Sequence, residues 1–207
     1  DDGTRLFVSR FISPAQHGEV IEINPASMAL EQTLQLDFDP GPDTESSGRG
    51  VPNALGQPGI SPDGRRLWVP AKKDNTARGF FTSGESHGFD STVRTIAAQI
   101  NIDNESTAKN TESPEDRHDF ENSDRAVAVA FTALGDYVFV ALQGSNAVAV
   151  LDAYSGQMIT QLPNSGVGPV GMTVSHDGER LFVHSFLSRS VQVLSLIHIS
   201  EPTRPTP

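Results

Sequence analysis

A nine-residue phrase recurs along this chain, and its spacing narrows the folds open to it. The phrase reads TALGDYVFV from Thr132, SHDGERLFV from Ser175, SPDGRRLWV from Ser61 and, clipped, DGTRLFV from Asp2. Each copy joins a glycine turn to a short run of aliphatic and aromatic residues, the pattern of a strand entered through a tight turn. Gly135 and Gly178 lie 43 residues apart. A repeat of about 40–50 residues built from short strands and turns predicts the blades of a β-propeller. Gly3, Gly64 and Gly135 are spaced by 61 and 71 residues. The excess over one repeat, about 18 and about 28 residues, matches two irregular stretches at 39–56 and 71–91.

Blades are expected to start near residues 1, 57, 126 and 169, within a repeat region spanning 1–193. Blade one begins part-way, with strands at 4–9, 19–24 and 30–38. Blade two has strands at 57–61, 66–70 and 92–103, then a wide turn, a weak outer strand and a connector within 104–124. Blade three is the most regular, at 126–131, 137–142, 147–152 and 157–162, and blade four has 169–175, 180–185 and 190–193. The predicted fold class is all-β, a partial β-propeller of about three and a half four-stranded antiparallel blades. The chain opens inside a repeat, and LSLIHISEPTR from Leu194 resembles the translation of a transposase adapter used in making sequencing libraries. Residues 194–207 are therefore expected to be a non-native tail, and the chain a fragment at both ends.

The formal charge of -11 argues against nucleic acid as a partner, because phosphate binding needs clustered Lys and Arg. With no cysteine, the segment holds no disulfide, iron–sulfur cluster, thiolate zinc or covalently attached haem. No apolar run approaches the ~20 residues of a membrane-spanning helix. No nucleophile elbow, P-loop or dinucleotide fingerprint occurs.

The stretch PVGMTVSHDGERLFVHSFLSRSVQV resembles the YVTN family of bacterial propeller repeats. The matching residues are Pro169, Gly171, Ser175, Asp177, Gly178, Phe182, Val183, Val191 and Val193. Blade three supplies Val148, Val150, Asp152 and Gly156; blade two supplies Pro58, Gly59, Ser61, Pro62, Asp63, Gly64 and Val69. The chain departs from the family pattern in Phe or Trp where the motif has Tyr, and at Thr132, Ala133 and Leu134. RGVPNALGQPGISPDGRRLWVPAKKDN and FDSTVR further resemble a subset of large exported propellers whose repeats lead into a cytochrome c, peroxidase-like region. That resemblance implies a periplasmic or extracellular protein. Since no C-x-x-C-H occurs here, it places any haem c in a downstream domain.

Successive strands of an antiparallel blade reverse direction. The loop from second to third strand and the connector to the next blade therefore leave the same rim. Stretch 39–56 is such a connector and 71–91 such a loop, so both are expected to cover one rim of neighbouring blades. Long loops on a rigid scaffold are the usual carriers of function. Within them Arg49, Asn53, Lys72, Lys73, Asp74, Asn75 and Arg78 form a polar, basic cluster in an acidic chain. Arg49 and Arg78 suit a clamp on a carboxylate of a ligand or docking partner; the competing reading pairs them with Asp43, Glu45 and Asp74 as loop fasteners. The candidate ligand- or partner-binding residues are Arg49, Asn53, Lys73, Asp74, Asn75 and Arg78. Phe80 and Phe81 either anchor the insertion or present an apolar contact.

No catalytic or metal-ligating residue is assigned. His17, His87, His118, His176 and His184 are scattered without ligand spacing. The acids Asp37, Asp39, Asp43 and Glu45, and those from Glu112 to Asp124, lack a calcium-loop pattern and read as a solvated charged edge. The expected role is a non-catalytic scaffold that binds or docks a protein, or another domain of the same chain, beside cytochrome c electron transfer. The alternative is a lactonase-like or quinoprotein-like propeller enzyme with its site at the ring centre. Inner strands at 57–60, 126–131 and 170–174, small and apolar, weigh against it.

Overall fold

The computed structural model describes residues 3–76, 79–81, 83–88, 92–103, 107, 110–112, 114–162 and 165–197. Blade one consists of β1 (Leu6–Ser9), β2 (Gly18–Asn24) and β3 (Ala29–Leu36), antiparallel in that order. Blade two contains β4 (Val51–Asn53), β5 (Gly59–Ile60), β6 (Arg66–Asp74), β7 (Val93–Asn101), β8 (Thr111–Glu112) and β9 (His118–Phe120). Blade three is β10 (Ala126–Phe131), β11 (Tyr137–Leu142), β12 (Ala147–Asp152) and β13 (Met158–Leu162). Blade four is β14 (Pro169–Val174), β15 (Arg180–Ser185) and β16 (Ser190–Ser195).

Alternation along each second strand sends its two faces to two different neighbours. Leu67 and Val69 of β6 meet Phe7, Val20, Leu34 and Leu36 in a core between blades one and two. Trp68 points the other way, into a core with Val138, Val140 and Leu142 of blade three. Phe139 repeats the pattern against Leu181 and Val183 of blade four. Each fully buried aliphatic or aromatic side chain contributes about 1.5–3 kcal/mol relative to exposure. Stability therefore resides between the sheets rather than within any one of them.

The turns that enter these strands share one device. In blade two the Ser61 hydroxyl donates to Asp63 and its oxygen accepts the Arg66 N–H at 2.9 Å. Ser175, Asp177 and Arg180 repeat this in blade four. Blade three lacks the acid before the glycine, and the Thr132 hydroxyl donates instead to Asp136, beyond the glycine. The departure from the repeat pattern at Thr132 thus keeps the hydroxyl–carboxylate clasp by moving the acid. Gly64, Gly135 and Gly178 adopt φ of 72, 74 and 74°, a left-handed conformation that costs other residues energy.

Blade two departs most from the expected boundaries. Stretch 71–91 is not all loop: β6 continues through Asp74, paired residue for residue with β7 back to Val93. Stretch 39–56 contains β4, which pairs with the rim half of β6, while β5 pairs with its other half. The inner edge is therefore shared by two short strands. The outer edge is likewise divided, β8 and β9 pairing with different parts of β7. Between β4 and β5, Gly56 passes against blade three, where an added Cβ would meet the backbone of Val127. At the far end β16 runs to Ser195, and Leu194 and Leu196 pack in the core between blades three and four.

Candidate functional site

Both insertions leave from one rim and are locked to each other there. Lys73 lies on β6 with 1% of its side chain exposed; its Nζ donates to Asp39 Oδ2 at 2.7 Å and Asp119 Oδ2 at 3.1 Å. One ammonium thus ties the connector, β6 and β9 together. Burial opposes ionisation of Asp39. The bond from Lys73, the Gly41 N–H and the charges of Lys73 and Arg117 outweigh it, holding the carboxyl below its ordinary range.

A second knot forms on Asp43. Its Oδ1 accepts the Arg49 N–H at 2.9 Å and Asn75 Nδ2 at 3.2 Å, and its Oδ2 accepts Arg49 Nε at 2.7 Å. His87 Nε2 stands 3.5 Å from Asp43 Oδ2, with 2% of the histidine side chain exposed. Phe81 packs on the His87 ring, centroids 4.5 Å apart, whereas Phe80 is exposed. The two phenylalanines therefore divide the two roles expected of them, Phe81 inward and Phe80 outward. Asn53 Nδ2 donates to Asp74 Oδ2 at 2.8 Å while its Oδ1 accepts the Ser13 N–H at 3.0 Å, adding blade one. Lys72 Nζ is 3.5 Å from Asp74 Oδ1.

The structure thus gathers Arg49, Asn53, Lys73, Asp74 and Asn75 on one rim and gives each a partner within the chain. Arg78 lies outside the described residues. Sequence reading did not single out the partners that complete the knots, Asp119 and His87. Asp119 reaches Lys73 only because β9 pairs with Thr95–Ala97, and no local pattern announces that.

The second acidic run is corrected in part. Glu112, expected on a solvated edge, has its side chain buried, taking Arg117 Nε at 2.6 Å and Nη2 at 2.7 Å. Arg117 Nη2 also donates to the Asp37 carbonyl, fastening blade two to the connector from blade one. Burial raises the Glu112 carboxyl above its ordinary value despite that arginine. His118 is held below its ordinary value by burial and packs on Phe120. Among the described residues no group of three His, Cys, Asp or Glu is placed to hold a metal ion.

Beside these knots a cleft of about 750 Å³ opens between blades two and three on the same rim, lined by Glu45, Arg94, Thr95, Phe120, Glu121 and Asp124. Arg94 Nη2 donates to the carbonyls of Thr44 and Glu45 at 2.7 and 3.0 Å, fixing the cleft wall to the connector. Glu45 and Glu121 are exposed at its mouth.

Antiparallel sheets stacked face to face, three of them entered through a clasped glycine turn, define a partial β-propeller carrying a built-up rim. No protein-family model and no curated protein matches the chain. Among solved structures it is similar to hydrazine synthase of Kuenenia stuttgartiensis, with TM-score 0.70 and 14% identity over 95% of this chain and 57% of that one. The β-propeller domain of Cps50 (Swd1) from Myceliophteria thermophila gives TM-score 0.45 and 12% identity over 98% of this chain and 65% of that one. Dihydro-heme d1 dehydrogenase NirN in complex with DHE gives 0.44 and 13% over 95% and 36%. The chain spans less than two thirds of each, and the likeness is one of fold. No helix among the described residues is long and apolar enough to cross a membrane.

Proposed function

We propose that this chain is a YVTN-type propeller scaffold of an exported protein, periplasmic or extracellular, whose built-up rim docks a protein or a further domain of the same polypeptide. The observation that carries this reading is the pair of buried knots on Lys73 and Asp43. They hold two long insertions in one arrangement beside an open cleft. Pre-organised loops bind without losing freedom at the moment of contact. Arg49, Asn53, Lys73, Asp74 and Asn75 act as the framework of that surface, and Glu45, Glu121 and Phe80 are the groups offered outward. An acidic mouth suits a partner with a basic face. The resemblance to propellers that precede a cytochrome c region points to a haem c electron-transfer domain as that partner. Such a domain would bring its own haem-binding cysteines, since this chain has none. The inner strands β5, β10 and β14 carry no titratable side chain, which supports a scaffold rather than a ring-centre enzyme.

A small basic c-type cytochrome serves as the probe, titrated calorimetrically against the chain at low and moderate salt. The expected result is weak, salt-sensitive binding that falls at least tenfold in Glu45→Lys with Glu121→Lys. Glu179→Lys, on the opposite rim, is expected to leave it nearly unchanged. Absence of binding at low salt, or equal loss from the Glu179 variant, overturns the docking reading.

A further inference from the structure

The strand β9 is three residues long, and each residue serves a different neighbour. Asp119 faces the connector, accepting Ser47 Oγ and Lys73 Nζ, each at 3.1 Å. Phe120 points the other way, into the core that holds Trp68, Val138 and Val140, and it lines the cleft between blades two and three. His118 shares that face by strand alternation. Its ring lies 4.6 Å from that of Phe120, centroid to centroid, at an interplanar angle of 65°. It also hydrogen-bonds to the backbone of Gly156, in the turn between β12 and β13 of blade three. One histidine thus pins to the next blade the strand that carries both a lysine knot and a wall of the cleft.

The rest of the hold on β9 is slight. It pairs with Thr95, Ile96 and Ala97 of β7, and among the described residues its other edge has no strand partner. The turn that follows is fastened separately: the Ser123 carbonyl accepts Thr95 Oγ1 and the Asp124 N–H donates to Ser145 Oγ, both at 2.8 Å. The charged groups around His118 are few. Asp119, next in the chain, favours the imidazolium. In the turn at Pro114–Asp116, the Asp116 carboxylate is engaged by Arg66 Nη1 at 2.9 Å and Glu115 is exposed. Arg117 is spent on Glu112. On blade three, Asp152 is turned into its own loop by the N–H groups of Tyr154 and Ser155. From β7 come only the neutral Ala97 and Gln99. Burial outweighs Asp119 and the Gly156 bond and holds His118 below its ordinary 6.5, so the neutral ring is the form that fits. Its contribution is complete above that value and is lost as pH falls through the lower folded value.

We propose that His118 is a pH-sensitive pin of the cleft: neutral, it holds β9 and the cleft wall against blade three, and protonated, it lets them part. An imidazolium at this position is a charge set against an aromatic ring and an alanine, with one backbone group to receive it. It reaches water by leaving Phe120 and Gly156, and a strand of three residues moves with it. Phe120 and Glu121, where the cleft floor meets its mouth, are then displaced together. A partner that needs the closed cleft binds less tightly once His118 is charged, and its binding in turn drives the proton off. That control of docking rests on the docking reading above; the movement of β9 does not.

Nuclear magnetic resonance on the chain alone follows the His118 ring and the exchange protection of the β9 amides from about pH 7.5 to about pH 5. His118→Gln, which keeps a donor for Gly156 and takes no proton, is the reference. Protection of β9 is expected to fall as the ring is protonated, while β11 and β12 stay protected, and the variant should show no such fall. Protection of β9 that ignores pH, or a fall that survives in the variant, overturns the proposal. Should the variant fold poorly, the wild-type chain decides, since separate midpoints for the ring and for β9 overturn it equally. The basic c-type cytochrome is then titrated over the same range. The wild-type chain is expected to lose about threefold or more in affinity beyond the loss in His118→Gln, which shares the titration of Glu45, Glu121 and the probe. Equal losses overturn control of docking by His118. A cytochrome that binds neither chain at any pH fails the docking reading alone, because the response of β9 is read without a partner.

Discussion

Lys73 Nζ lies between Asp39 and Asp119 with almost no contact with water, so its charge is supported only by those two carboxylates. Removing one partner of a buried ion pair strands the others. Lys73→Ala is expected to lower unfolding free energy by about 3–5 kcal/mol, read from urea denaturation. The pH dependence should change with it. Asp39 is depressed below its ordinary 3.8, so its contribution is complete above that value and is lost as pH falls through the lower folded value. Glu112, raised above 4.5 by burial, works in the opposite sense: the folded chain takes up this proton first, so stability is gained as pH falls through the raised value. Lys73→Ala should therefore flatten the acid limb below pH 3.8 and leave the Glu112 contribution in place. An unchanged acid limb would show that Lys73 does not control Asp39. At this scale the sequence revealed the gathering of Arg49, Asn53, Lys73, Asp74 and Asn75, because loop connectivity alone places them on one rim. It did not reveal that Asp119 and His87 complete the knots, since those contacts depend on pairings far along the chain.

In blades two, three and four the clasped turn makes the strand that follows it begin at a fixed residue, and so decides which side chain faces which neighbour. Shifting a strand by one position would move its whole apolar set to the other face. Gly178 has open space where a Cβ would go, and its φ is 74°, so Gly178→Ala isolates backbone strain. The expected cost is about 1–2 kcal/mol. Gly56 is not in the left-handed region, so Gly56→Ala isolates a collision with the Val127 backbone instead; it should cost more, with a lower midpoint in the same denaturant series. Equal midpoints would show that blades two and three can shift apart at Gly56. Strand existence was legible where apolar residues alternate, as at Leu34 and Leu36 of β3, or run together behind a glycine turn, as in β11 and β15. The extension of β6 through Lys72 and Lys73 was not, because the inward position there is filled by a lysine neutralised through ion pairs. Polar side chains that are buried in pairs look like loop to any reading of hydrophobic period.

Across the whole molecule, contacts run from each blade to the next, so stability is a sum over neighbours rather than a single core. Phe7, Trp68 and Phe139 each occupy such a junction, whereas Phe182 projects from the last one. Truncating a buried aromatic removes its transfer free energy and leaves a cavity, at about 3–5 kcal/mol. Phe139→Ala should reach that range, while Phe182→Ala, at a half-buried position, should cost well under half as much. Trp68, the single tryptophan, sits in the middle junction and reports its opening through its emission. With Phe139→Ala, the junction of blades three and four should open at lower urea than the Trp68 signal moves, separating the circular dichroism and fluorescence transitions. Coincident transitions in that variant would mean that the arc unfolds as one cooperative body, and that loss at one junction is carried through Val138 and Val140 to the next.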